Sequence, residues 1–267
     1  MSREIRFQYL RPSQVVAERE RCPLVFLPVG PLEWHGPHLP LGTDPLNAEE
    51  VSLRLAREVG GVVLPPLYLG TERERRPDML ESIGFKGDEY IVGMDFPGML
   101  VPSFYAPEEV LAVTVRSYLD LLVRQGYKLI VILNGHGADN QVLTLQRLAV
   151  EYSHTSPAQV LLLMPVARTP GDYLNGSHAT RVETAIMQAL TSSVDLGALP
   201  EGPLKSVDLA IVDQLTFEGT PTPDHTVRAE DDPRLATAEE GETRLAEIVA
   251  DLAVVVGEAL ARLGHAS

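Results

Sequence analysis

The sequence predicts an α/β fold of three layers, α/β/α, with a largely parallel central sheet. Two observations carry this. Three apolar runs, at 24–29, 128–133 and 160–164, are short and lack polar alternation, the pattern of strands buried on both faces. Around them apolar residues recur at helical spacing, so strands and helices alternate along the chain.

In chain order, the first strand (24–29) is stopped by Gly30 and Pro31, and a helix is expected over 48–58. The next helix covers 107–125, with Pro107 suited to the first turn and Gly126 to the end. The strand at 128–133 opens into Asn134-Gly135-His136-Gly137, where glycine permits positive φ and close backbone approach. A helix over 141–152 follows, with Asn140 as its N-cap. After the third strand come a helix over 181–192 and a Pro- and Asp-rich loop over 220–232, in which His225 reads as a surface residue. A closing helix over 237–263 repeats Leu245, Ile248, Leu252, Val255, Val256 and Leu260 on one stripe, the signature of a core-facing helix.

Composition bounds the function. With 267 residues, 45% of them hydrophobic, and no Pro/Ser-rich linker, the chain is expected to form one domain over 1–267. A net charge of −15 disfavours nucleic acid and anionic membrane as partners, and no apolar run approaches the roughly 20 residues that span a bilayer. The lone Cys22 forms no internal disulfide and residues 1–6 lack the apolar core of a signal peptide, so a cytoplasmic location is expected.

The chemistry gathers where strands end, the usual place for ligand sites in open α/β sheets. Glu33-Trp34-His35-Gly36-Pro37-His38 follows the first strand, with Asp44 a short loop further on. Glu33 and His35 are two apart, so in extended backbone their side chains share a side. Carboxylate with neutral imidazole suits zinc, manganese or iron, and a carboxylate with two free oxygens can bridge two ions. His136 is presented at the second strand end. His178 precedes the helix at 181–192, whose first turn holds Glu183, either facing the same crevice or simply favoured there by the helix dipole. Arg73, Arg75 and Arg76 could meet an anionic or polyol substrate, or form a solvated loop with Glu72, Glu74 and Asp78.

The stretch Pro28-Val29-Gly30-Pro31-Leu32-Glu33-Trp34-His35-Gly36-Pro37-His38-Leu39-Pro40-Leu41-Gly42-Thr43-Asp44 resembles the signature of the creatininase family of metal-dependent amidohydrolases. Asn134-Gly135-His136-Gly137 is similar to that family's second motif, and His178-Ala179 with Glu183-Thr184 to its third; Phe96-Pro97-Gly98 and the stretch 232–241 are similar to weaker landmarks. The resemblance implies two divalent ions, zinc and/or manganese with iron compatible, held by Glu33, His35, a bridging Asp44 and His136. Creatinine-cleaving members take a further carboxylate two residues after the second-motif histidine, where this chain has Ala138; Glu183 is the expected replacement, with Asp139, otherwise a substrate contact, behind it. Two ions about 3.5–4 Å apart can hold a hydroxide and polarise a carbonyl. His178 would pass a proton to the leaving nitrogen, and His38 would orient a ligand from behind.

Two departures argue against creatinine as substrate: Ser177 stands where those members have glutamate, and the segment 71–78 replaces a short Gly/Ser/His loop. The expected function is hydrolysis of a C–N bond in a small, polar, cyclic substrate. The alternatives are ring opening of an oxidised inositol by C–C cleavage, a single-metal hydrolase, and a non-catalytic binding or scaffold protein, which the loss at Ala138 favours. The family also implies a homo-oligomer, a hexamer, to which the apolar segment 97–105 would contribute.

Overall fold

The structure is a computed structural model that describes residues 3–82, 85–96, 99–165, 178–207, 210–211 and 226–265. The expectations for Pro97, Gly98, Ser177, His225 and the loop before Thr226 lie outside these residues.

Five parallel strands form the main sheet: β1 (Leu24–Gly30), β2 (Val62–Val63), β3 (Leu67–Tyr68), β4 (Leu129–Asn134) and β5 (Gln159–Leu163). Their order is β2-β1-β4-β5, with β3 also on β1. Register runs from Leu24↔Leu129 to Val29↔Asn134, so the two strands that carry motifs end side by side. β1 holds a proline inside a central strand, where a missing N–H is normally costly. The Phe26 carbonyl accepts from Leu64, so Pro28, two residues on, faces the same edge, between the end of β2 and the start of β3. The break in that edge matches the missing donor. A short antiparallel pair, β6 (Ser206–Val207) and β7 (Ala210–Ile211), lies apart from this sheet.

The helices are α1 (Pro12–Arg21), α2 (Thr43–Val59), α3 (Pro77–Ser82), α4 (Glu108–Gln125), α5 (Asp139–Thr155), α6 (Arg181–Leu190) and α7 (Ala238–His265). One sheet face, with Leu24, Phe26, Leu129, Val131 and Leu133, packs on α2 and α7; the other, with Val25, Leu27, Val29, Ile130 and Ile132, packs on α4 and α5. This is the expected three-layer arrangement. Alternate residues of each strand serve opposite cores, which is why the runs are apolar throughout. The α7 stripe faces the core: Leu245, Ile248, Leu252 and Val256 are buried, and Val255 and Leu260 pack against them.

Several boundaries differ from expectation. α2 starts at Thr43 rather than 48, because Pro45 belongs in a first turn, so Asp44 sits on the helix rather than in the loop before it. The N-cap of α5 is Ala138, not Asn140, whose side chain is drawn sideways to donate to Thr71 Oγ1 at 3.2 Å. α1 carries no buried residue and so leaves no apolar stripe to read, and the end of the charged 71–78 segment turns helical as α3. Among the described residues, no helix is long and apolar enough to cross a membrane.

Candidate metal centre

β1 delivers the first group. Beyond Gly30 the chain leaves the sheet, and the Glu33 N–H donates to the Leu41 carbonyl, closing residues 33–41 into a loop over the strand end. Glu33 and His35 are buried within it, at 2% and 0% exposure. His35 Nδ1 lies 3.0 Å from the Glu33 backbone carbonyl. A carbonyl only accepts, so Nδ1 carries the proton there and Nε2 is the nitrogen turned inward.

Asp44 reaches the same place from the first turn of α2, and this needs room. A Cβ on Gly30 would lie 2.9 Å from Asp44 Cβ, so β1 must be bare at that point. His136 arrives from the end of β4, its loop fixed by Asn134. The Asn134 side chain donates to the His136 carbonyl (2.6 Å), and its Oδ1 accepts from His136 N–H (3.3 Å) and Gln141 Nε2 (2.7 Å). Positive φ plays no part in this loop: Gly135 and Gly137 both have ordinary φ, and a Cβ on Gly137 would meet nothing within 4 Å.

The four side chains converge. Asp44 Oδ1 lies 3.0 Å from His35 Nε2, and its Oδ2 lies 3.1 Å from His136 Nδ1. Glu33 Oε2 lies 3.1 Å from His136 Nδ1 and 3.9 Å from His35 Nε2. From α6, Glu183 Oε1 stands 4.0 Å from His35 Nε2, while its Oε2 accepts the Ala179 N–H at 2.5 Å. That bond depends on Ala179 adopting φ +62°, a left-handed conformation that costs a residue with a Cβ about 1–2 kcal/mol. His178 stacks on His35 with ring centroids 4.1 Å apart; its Nε2 donates to the Trp34 carbonyl at 2.5 Å and its Nδ1 lies 3.9 Å from Glu33 Oε2.

Charge follows from this packing. Burial alone would raise the Glu33 carboxyl, but the imidazoles of His136, His178 and His35 hold it well below the ordinary range. Burial opposes charge on His35, yet Asp44, Glu183 and Glu33 push it up to about 10, and His136 is likewise raised by Glu33 and Asp44. His178 is pushed down to about 4 by burial and by the positive charge of His35. Glu183 is raised to about 7, chiefly by burial.

Two sets of three donors can each enclose a cation, Glu33–Asp44–His136 and His35–Asp44–Glu183, with Asp44 common to both; in each the donor atoms lie within 4.8 Å of one another. A third, Glu33–His35–His178, overlaps them. The residues fit divalent metal on their chemistry. Oxygen and imidazole nitrogen suit zinc, manganese and iron, and the backbone bond at His35 Nδ1 is the kind that fixes a ligating histidine.

Other expected site residues stand apart from this cluster. His38 is buried, with Nε2 2.9 Å from Thr184 Oγ1, so it ties the first loop to α6 one residue beyond Glu183; burial and two neighbouring histidines push it down to about 4. Asp139 is exposed on the first turn of α5. Arg76 is exposed and pairs with Asp78 at 3.2 Å, Arg73 is exposed, and the Arg75 guanidinium lies against Gly93, Met94 and the Phe96 ring. One contact has no counterpart in the sequence reading: the Tyr105 hydroxyl donates to Glu33 Oε1. Tyr105 lies in none of the motifs, 72 residues from its partner, and nothing local to it signals the contact.

Comparison with known proteins places this chain among relatives. The family model described as Creatininase, creatinine amidohydrolase, matches residues 8–256. The mycofactocin precursor peptide peptidase of Mycolicibacterium smegmatis is 28% identical over 240 residues, 85% of this chain and 81% of that protein. The 3-dehydro-scyllo-inosose hydrolase of Thermotoga maritima is 23% identical over 133 residues, and the creatinine amidohydrolase of Pseudomonas putida 31% identical over 113. These last two matches cover 50% and 42% of this chain, and only 36% and 37% of the respective relatives. A crystal structure of creatinine amidohydrolase superposes with a TM-score of 0.68 at 25% identity, covering 97% of this chain and 99% of that one. A manganese form of creatininase is similar to the same degree.

Proposed function

The chain belongs to the creatininase family, and on that premise we propose that it is a cytoplasmic divalent-metal hydrolase that cleaves a C–N bond in a small, polar, cyclic substrate. The observation that supports the reading is the pair of donor sets sharing Asp44, in which Glu183 would supply the carboxylate that position 138 lacks. Zinc or manganese would be held by Glu33, Asp44 and His136 on one side and by His35, Asp44 and Glu183 on the other. Bound there, such ions would polarise a substrate carbonyl and acidify a water molecule.

The chain's own groups then move the proton. His178 Nε2 is committed to the Trp34 carbonyl, so the neutral ring offers the Nδ1 lone pair. It must accept a proton before it can give one. Nδ1 therefore takes the proton of the attacking water as base and returns it to the leaving nitrogen as acid. Glu183 stands beside it in the cluster, with 27% of its side chain exposed. Arg73 and Arg76 are exposed and in this reading would meet polar or anionic groups of the substrate.

Likeness to a peptide peptidase and a creatinine amidohydrolase supports C–N cleavage, since both names describe hydrolysis of amide bonds. Ring opening of a cyclic diketone is the second reading, supported by the likeness to an inosose hydrolase. Zinc- and manganese-loaded protein incubated with cyclic amides, short peptides and oxidised inositols separates these. Amine release from an amide supports the proposal, acid release from an inositol supports the second reading, and metal without turnover of any of them favours a binding protein. Assembly into a homo-oligomer, a hexamer, is supported by Leu100, Val101 and Phe104, which are exposed on the segment expected at an interface. Light scattering tests it.

A further inference from the structure

Glu33 uses its two oxygens differently. Oε2 faces the three imidazoles of His136, His35 and His178, whereas Oε1 accepts the Tyr105 hydroxyl on the opposite side. A carboxylate with one oxygen already bonded is held to a single rotamer and offers one oxygen to its centre. Tyr105 is itself held. Its hydroxyl also accepts the Met94 N–H, at 3.3 Å. Gly93 turns with φ +54° against that hydroxyl, where a Cβ would come within 2.7 Å of the oxygen.

The turn at Gly93 is fastened by the charged segment. Arg75 N–H donates to the Ile91 carbonyl at 2.8 Å, and Gly93 N–H donates to the Arg73 carbonyl at 3.0 Å. The Arg75 guanidinium then donates through Nε to the Gly93 carbonyl and lies 5.0 Å over the Phe96 ring. A guanidinium so engaged serves the loop, and the loop serves the tyrosine.

We propose that Tyr105 is a positioning residue that limits Glu33 to one oxygen towards the metal centre, and that Arg75 sets Tyr105 through the Gly93–Met94 turn. This rests on the reading of Glu33 as a metal ligand. Its consequence is that Arg75 acts on ion affinity from outside the centre, through the Gly93–Met94 turn and Tyr105, rather than on the substrate.

The test measures zinc affinity of metal-free protein by competition with a chromophoric chelator, in a Glu183→Ala background where both donor sets that remain complete contain Glu33. Adding Tyr105→Phe is expected to weaken zinc binding about 10- to 100-fold, the usual effect of removing a group that orients a ligand. Arg75→Met should weaken it less, and the two together should match Tyr105→Phe alone, since they act in series. Zinc affinity unchanged by Tyr105→Phe in a protein of unchanged circular dichroism overturns the proposal and leaves the metal reading standing. Full additivity of the two changes overturns the role of Arg75. A wild-type protein that binds neither zinc nor manganese overturns the metal reading and this proposal with it. Should Tyr105→Phe fail to fold, Arg75→Met alone decides, with unchanged affinity as the contradicting result.

Discussion

A Cβ on Gly135 would lie 2.2 Å from the carbonyl oxygen of Asp44. The end of β4 and the first turn of α2 thus meet through bare backbone, and this contact brings the histidine of one motif to the aspartate of another. Gly135→Ala should destabilise the protein by about 1–3 kcal/mol through overpacking, and should lower metal content by displacing Asp44. Gly137→Ala, which meets open space, should change stability by less than about 0.5 kcal/mol. Urea melts of the two variants check the contrast.

Proton and metal compete for the same atoms. In the metal-free chain His35 has a pKa of about 10 against an ordinary 6.5, so its contribution to stability is whole below 6.5 and is lost as pH rises through 10. Glu183, raised from 4.5 to about 7, acts in the same direction over a lower window. Chelator-treated protein should therefore melt at a lower temperature at pH 8 than at pH 6. Zinc affinity should rise over the same interval, because the ligands must lose their protons. Melting curves at both pH values, with and without zinc, test the two opposed slopes.

His178 should carry its proton on Nε2 at neutral pH, a tautomer that nitrogen NMR reads directly. Once a substrate is known, His178→Ala should lower kcat about 10²- to 10⁴-fold while two ions per chain remain. Loss of an ion in that variant would instead make His178 a ligand through the overlapping Glu33–His35–His178 set.

Arg76→Ala removes an exposed pair with Asp78 and should leave stability within about 0.5 kcal/mol of wild type. With a substrate in hand it should raise KM and spare kcat. Asp139→Ala should leave metal content unchanged, since that carboxylate stands exposed and outside each of the donor sets.

Much of this was legible in the chain. The runs that became β1, β4 and β5 are apolar on both faces because both faces are covered, and Glu33, His35, Asp44, His136, His178 and Glu183 stand together in space as their motifs suggested. What was not legible depends on contacts without a local pattern. α1 buries no residue, β2 and β3 are two residues each, and Tyr105 meets Glu33 across 72 positions. The three arginines read alike as a charge run, yet folding separates them: Arg75 turns onto the Phe96 ring while Arg73 and Arg76 face outward.

The central claim is a centre of two ions joined by Asp44, and elemental analysis of protein purified without chelator tests it most directly. Wild type should carry two ions per chain, Asp44→Ala should lose both, and Glu183→Ala should lose one. Wild-type protein without metal, even after reconstitution with zinc and manganese, would contradict the account and leave a binding protein in its place.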